Sequence, residues 1–290
     1  MVQPLVYCRS SQDLAKSVAQ ELAIPAFHSN VKCFNNKELV VSLGKSFREV
    51  VVIASTTNHD EWMELFLLLD ALRSAKNVVL CLTYMGYSRQ DQQEENESFG
   101  AGLFSRLLDT MNISSCIILD NHCEPLLRTP TRHISARRIF EADISKKYKP
   151  DYVAVVSPDI GGAYRADLSA KSLGCDFAIC NKAKNVFGKL KSMYKLGDVS
   201  DKICVLIDDM VDSGSTLCYA SDVLMSAGAK DVVAYCTHGV LSDGSIKKLE
   251  KSALTEIVLT DSIAHPQPLP EKFRKLSIAS LIAEAIRCIL

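Results

Sequence analysis

The segment VLIDDMVDSGSTLCYASDVL, Val205 to Leu224, sets Asp208, Asp209 and Asp212 around the small run Ser213-Gly214-Ser215-Thr216, between two apolar stretches. Carboxylates repel a bare anion, so Asp208 and Asp209 suit sugar hydroxyls or a hydrated magnesium. The backbone N–H groups around Ser213 to Thr216, ahead of a helix, suit a phosphate. The rival is a plain turn with an N-cap, which needs one small polar residue and not a run of them. Other segments offer chemistry too. In YMGYSRQDQQ, Arg89 is a planar cation for phosphate or base stacking, and Gln90 and Asp91 offer hydrogen bonds; a solvated loop is the alternative. LDNHCEP places Asp120 and His122 after a strand, although lone histidines are more often structural. VVSPDIGGAYR has Asp159 after a strand and then Gly161-Gly162, a pair that permits close backbone approach to a phosphate and is also common in turns. KCFNNKEL reads alone as a turn. The lysine-rich NKAKNVFGKLKSMYKLGD, with no acid before its last residue, is either a solvated face or a cationic loop that closes over phosphates.

Positioning these groups requires a scaffold with strand ends gathered on one edge. Segments of strand type (Val50 to Ile53, Val78 to Thr83, Cys116 to Leu119, Tyr152 to Val156, Ile203 to Ile207, Val232 to Cys236) alternate with helical patterns such as Asp60 to Ser74 and Phe99 to Met111. That alternation predicts parallel sheets covered by helices, with ligands at the carboxyl ends of the strands and Asp208 and Asp209 at one such end. Ala75-Lys76-Asn77-Val78-Val79 is echoed by Ala229-Lys230-Asp231-Val232-Val233, and Thr83 by Thr237, at a constant offset of 154 residues (Ala75 to Ala229, Thr83 to Thr237). The echo is short enough to arise by chance; read as a duplication, it predicts two tandem, structurally similar α/β domains, residues 1–147 and 148–290, divided near Lys146 to Pro150.

The 290 residues are 48% hydrophobic with a formal charge of −1, which is the composition of a globular protein without the basic excess of a nucleic-acid binder. Charges interrupt the apolar runs well short of a bilayer span, and the amino terminus does not read as a signal peptide, so a cytoplasmic protein is expected. Cys81, Cys204 and Cys236 fall inside predicted strands and no CxxC pair occurs, so the eleven cysteines read as thiols and not as a disulfide framework.

Taken in order, the segments resemble the ribose-phosphate pyrophosphokinase family over nearly the whole chain. IDDMVDSGSTL is similar to that family's ribose-phosphate loop and VVSPDIGGAYRADLSAKSLG to its pyrophosphate loop region; AKDVVAYCTHGVLSDGS, YMGYSRQDQ, TDSI and the start of LSIASLIAEAIRCIL match further segments. The resemblance implies two phosphoribosyltransferase-type domains with mostly parallel sheets flanked by helices. It also implies transfer of the diphosphoryl group of ATP to the C1 hydroxyl of ribose 5-phosphate, feeding nucleotide biosynthesis. By position, Phe34, Asn36, Glu38, Arg89, Gln90 and Asp91 would bind ATP; Asp208, Asp209, Asp212, Ser213, Gly214, Ser215 and Thr216 would bind ribose 5-phosphate; Gly161 and Gly162 would form the diphosphate turn. His122 and Asp159 would hold Mg2+, and Lys182 and Lys184 would be catalytic on the mobile loop. A dimer-based homo-oligomer, up to a hexamer, is the expected assembly.

Three departures stand out. The family's Phe-x-Asp-Gly-Glu is here Phe34-Asn35-Asn36-Lys37-Glu38, its Asp-Leu-His is Asp120-Asn121-His122, and its Lys-x-Arg is Lys182-Ala183-Lys184. Lysine keeps the charge of arginine but loses the bidentate fork. A catalytically weak paralogue that joins and regulates active subunits is therefore the second reading. A phosphoribosyltransferase that consumes phosphoribosyl diphosphate is the third, opposed by the ATP-site and histidine segments of the first domain.

Overall fold

The computed structural model describes residues 3–124, 126–184 and 190–289. In the amino-terminal part, β1 (Leu5–Tyr7), α1 (Gln12–Leu22) and β2 (Ala26–His28) are followed by β3 (Asn30–Cys33) and β4 (Leu39–Ser42). Then come β5 (Glu49–Thr56), α2 (His59–Ala71), β6 (Asn77–Met85), α3 (Gly100–Asp109), β7 (Ser115–Leu119) and β8 (Thr131–Ile134). The sheet order is β2-β1-β5-β6-β7-β8, every pair parallel, with β3 and β4 forming a separate antiparallel hairpin. Residues Val50 to Ala54 of β5 are fully buried, as is expected of a parallel strand covered on both faces. Each such valine or isoleucine side chain contributes roughly 1.5–3 kcal/mol by leaving water. Val50, Val52 and Ala54, on one face of the strand, pack with Leu65 and Leu68 of α2 and Leu80 of β6 in one core.

The second part contains α4 (Arg137–Lys147), β9 (Val153–Ser157), α5 (Ala163–Leu173), β10 (Asp176–Lys184), β11 (Leu190–Leu196), β12 (Ile203–Val211) and α6 (Ser215–Ser226). It continues through β13 (Asp231–Gly239), α7 (Ser245–Glu250), β14 (Glu256–Thr260) and β15 (Phe273–Leu276), and the last helix is α8 (Ala279–Arg287). Here the order is β11-β10-β9-β12-β13-β14-β15, parallel except for the β10–β11 pair. Ala154, Val156, Leu206, Leu217 and Leu224 lie in its core.

Both sheets therefore follow one topology. The first strand has the second on one side and four later strands in sequence on the other; the antiparallel element differs, β3 and β4 forming a hairpin apart from the first sheet and β11 extending the edge of the second beside β10. The echoed sequences begin β6 and β13, which hold the same place in their sheets and span nine residues each.

The chain divides differently from the expected boundary at residues 147 and 148. One compact unit is Met1–Ser135 with Asp261–Ala264 and Ser277–Leu290; the other is Ala136–Thr260 with His265–Leu276. Helix α4 belongs to the second because Asp143 accepts hydrogen bonds from Tyr235 Oη (2.7 Å) and Arg274 Nη1 (3.0 Å), and Glu141 accepts one from Ser172 (2.9 Å). Helix α8 returns to the first, where it packs on α1 and Arg287 donates to the Glu21 carbonyl at 2.5 Å. None of the eleven cysteines is in a disulfide, and Cys8, Cys81, Cys116, Cys180, Cys204 and Cys236 are buried.

Candidate active site

Strand β12 sets the geometry. It pairs with β9 only from Ile203 to Leu206, whereas its ladder with β13 continues to Val211 opposite Gly239. Asp208 and Asp209 are thus not at the end of their strand, as the sequence pattern predicts. They lie within it, beyond the end of β9, because β13 is long enough to keep pairing. The Asp209 N–H donates to Asp208 Oδ1 (3.0 Å), and Arg165 Nη1 on α5 lies 3.3 Å from Asp209 Oδ1 and 3.7 Å from Asp208 Oδ1. Burial, then the neighbouring Asp209 and Asp159 charges, push the Asp208 carboxyl well above its ordinary range, and Arg165 opposes them.

The loop after β12 is shaped for an anion. Gly214 has φ of +71°, and a Cβ there would stand 2.7 Å from Leu249 Cγ, so only glycine fits both the backbone and the space. It hands over to α6, whose first turn holds no acid and whose cap makes no side-chain hydrogen bond. The positive end of the helix dipole there favours an anionic ligand. Ser213 Oγ accepts the Ser215 N–H (3.4 Å) and donates to Ser215 Oγ (3.2 Å). Asp212, Ser215 and Thr216 are partly exposed and Ser213 is exposed, so the loop is open to solvent.

Asp159 lies on the turn between β9 and α5. Its Oδ1 accepts the Gly162 N–H at 3.1 Å, and the Asp159 carbonyl accepts from Ser157 Oγ at 2.6 Å. Gly162 allows this turn to sit close: a Cβ there would be 3.0 Å from Ser157 Oγ and 3.9 Å from Asp208 Oδ1. Gly161 is exposed at the tip. The structure thus brings Asp159, Gly162, Arg165, Asp208 and Asp209 together in one unit. His122 belongs to the other unit, exposed on the loop after β7. Among the described residues no group of three or more His, Cys, Asp or Glu is arranged to hold a metal. Carboxylates without a closed ligand cage fit a magnesium ion that keeps its waters and is carried largely by substrate phosphates.

The residues predicted for ATP fall in two places in the first unit. Arg89, Gln90 and Asp91 line an open recess of about 310 Å³ whose walls include Glu94 and Glu97. Phe34, Asn36 and Glu38 form the tip of the β3–β4 hairpin and do not line that recess. Phe34 N–H donates to the Glu38 carbonyl (2.9 Å) and Glu38 N–H to Asn36 Oδ1 (3.2 Å), leaving the phenyl ring 56% exposed. Lys37, where the family motif has glycine, adopts φ of +70°. The backbone keeps the left-handed turn that glycine would take without strain. Lys182 and Lys184 lie on β10, facing Met193 and Leu190 of β11 in register; their side chains and residues 185–189 lie outside the described residues.

Two side chains at the site carry no sequence-level assignment. Arg165 is in the first turn of α5, where a cation opposes the helix dipole, and that misfit is a readable sign that it serves carboxylates elsewhere. Lys248 on α7 donates to Ser215 Oγ at 2.9 Å, a contact with no local sequence signal because the two residues are 33 positions apart.

Two α/β units of mostly parallel strands flanked by helices, the second with such a loop after a central strand, are of phosphoribosyltransferase type. A family model described as the N-terminal domain of ribose phosphate pyrophosphokinase matches residues 4–111, and one described as a phosphoribosyl synthetase-associated domain matches residues 180–290. The chain is 37% identical to a ribose-phosphate pyrophosphokinase of Agrobacterium fabrum and 38% identical to one of Brucella melitensis, in each case over 96% of this chain and 93% of the relative. A crystal structure of phosphoribosylpyrophosphate synthetase from Mycobacterium smegmatis superposes with a TM-score of 0.89 at 31% identity, covering 99% of both chains. The chain belongs to the ribose-phosphate pyrophosphokinase family.

Proposed function

We propose that this chain is an enzyme that transfers the β,γ-diphosphoryl group of ATP to the C1 hydroxyl of ribose 5-phosphate, forming 5-phosphoribosyl 1-diphosphate and AMP. The observation that carries the reading is the α6 start, with Gly214 at its cap position and no acid in its first turn, shortly after the Asp208–Asp209 pair. The C1 oxygen forms a bond to the β-phosphorus, the bond from that phosphorus to the α,β-bridging oxygen breaks, AMP leaves, and the hydroxyl proton is released. Such a displacement asks the protein to align reactants and neutralise charge.

Residues Asp212 to Thr216 take the 5-phosphate, and Asp208 and Asp209 take the ribose hydroxyls and the metal's water shell. Gly161 and Gly162 let the turn approach the diphosphate. Arg89, Gln90 and Asp91, with Phe34, Asn36 and Glu38, serve ATP. Asp159 in the one unit and His122 in the other are each proposed as magnesium ligands, and the ion would neutralise the phosphates of the nucleotide. Lys182 and Lys184 add positive charge where it develops.

Assembly with further copies of the chain is part of this reading. Action in the cytoplasm is part of the same reading; no helix among the described residues is long and apolar enough to cross a membrane. Purified protein with ATP, ribose 5-phosphate and magnesium should release AMP. Lys182→Ala should lower turnover with little change in KM, and Lys184→Arg should raise it by restoring the fork. AMP release only after mixing with another synthetase subunit would replace this reading by the regulatory one.

A further inference from the structure

We infer that Lys248 is a positioning residue for ribose 5-phosphate, one that turns the Ser215 hydroxyl into an obligate donor toward the 5-phosphate. The inference rests on the assignment of Asp212 to Thr216 to that phosphate. An ammonium group has donors only, so the 2.9 Å contact makes Ser215 Oγ the acceptor. Ser213 Oγ, which already accepts the Ser215 N–H, donates its own proton to the same oxygen at 3.2 Å. A hydroxyl has two lone pairs and one proton. With both lone pairs engaged, Ser215 has only its proton to offer, and a phosphate oxygen is the complementary acceptor.

Helix α7 is built to hold Lys248 there. Leu249 fills the space in front of Gly214 that a side chain would occupy. Cys218 Sγ in α6 donates to the Lys248 carbonyl at 3.9 Å. Lys272 Nζ donates to the carbonyls of Leu249 (2.9 Å), Glu250 (3.0 Å) and Ser252 (2.9 Å), satisfying the end of the helix. Lys248 is exposed, and among the described residues it forms no ion pair, so its charge is not already spent on a carboxylate. A phosphate monoester carries close to two negative charges at neutral pH. A lysine one hydroxyl away adds attraction that the plain sugar does not feel.

The test compares the full-length protein with Lys248→Met and Lys248→Arg. Calorimetry measures binding of ribose 5-phosphate and of unphosphorylated ribose, and AMP release gives KM and kcat separately. Loss of one charge-assisted contact should weaken ribose 5-phosphate binding and raise its KM about tenfold in Lys248→Met. The KM for ATP should stay at the parental value, ribose binding should not shift, and Lys248→Arg should recover most of the loss. Parental affinity for ribose 5-phosphate in Lys248→Met, or equal weakening toward ribose, would overturn the role while leaving the reaction intact. A parent that binds ribose 5-phosphate but releases no AMP would refute the reaction instead, and the calorimetric comparison would still decide the role of Lys248. A parent with no affinity for ribose 5-phosphate would overturn both.

Discussion

The loop between β5 and α2 and the loop between β12 and α6 occupy the same place in two sheets of the same strand order, yet they treat their helix starts in opposite ways. In the first unit Asn58 caps α2 by accepting the Glu61 N–H at 3.1 Å, and Asp60 and Glu61 occupy the first turn. Glu61 Oε2 also takes the Thr57 N–H at 2.5 Å and the Thr57 hydroxyl at 2.7 Å. The positive end of the helix is neutralised from within. In the second unit the first turn of α6 has no acid, glycine stands at the cap position, Ser213 Oγ takes the Ser215 N–H, and Lys248 adds positive charge. One topology thus supplies a closed helix start for stability and an open one for a ligand. The difference lies in a handful of side chains and not in the backbone plan.

The largest expected effect comes from closing the open loop. Gly214→Ala combines left-handed strain with a clash against Leu249, and should cost about 3 kcal/mol of stability together with a large rise in the KM for ribose 5-phosphate. Denaturant unfolding and initial rates check this, and a variant as stable as the parent would remove the conformational argument for glycine. Next, Asp209→Ala removes an acceptor from the open site and should lower kcat/KM for ribose 5-phosphate by an amount worth about 2 kcal/mol, with ATP binding nearly unchanged. Unchanged ribose 5-phosphate kinetics would contradict the sugar role.

The same pair gives the ligand-free protein a pH dependence. The Asp208 pKa is raised in the folded state, so the folded protein holds that proton more tightly than the unfolded chain. Its contribution to stability is fully present below the ordinary carboxyl pKa and is lost as pH rises through the folded value. Asp208→Asn should therefore flatten this decline and melt higher than the parent at neutral pH, which thermal melts across pH will read.

A smaller effect is expected at the closed loop. Glu61→Ala should destabilise the protein by about 1 kcal/mol through loss of the bonds to Thr57, without altering the KM for ribose 5-phosphate. A kinetic defect there would mean that the two loops are not as different as their caps imply. The smallest change is Lys37→Gly, which relieves a left-handed backbone and should raise stability by about 1 kcal/mol or less in a chemical melt.

The strands that build both cores are legible because each is a continuous apolar run. Val50 to Ile53, Val78 to Thr83, Cys116 to Leu119, Ile203 to Ile207 and Val232 to Cys236 all lie inside strands, and the echo at Ala75 and Ala229 marks equivalent strands of the two sheets. The loop from Asp212 to Thr216 is legible as well, since glycine and small hydroxyl residues between a strand and a helix have a local backbone meaning. What tertiary structure alone decided is which distant groups meet. The length of β13 determines that β12 runs on past Asp209 to Val211. Contacts of α4 with Tyr235 and Arg274, and of α8 with α1, place those helices in units that their sequence positions do not predict. Arg165 reaches the aspartate pair, and Lys248 reaches Ser215, through packing across the sheet edge. Burial and backbone preference act over neighbouring residues and leave a pattern in the chain. The partners of an exposed cation are chosen by which elements close around it, and no local pattern encodes that choice.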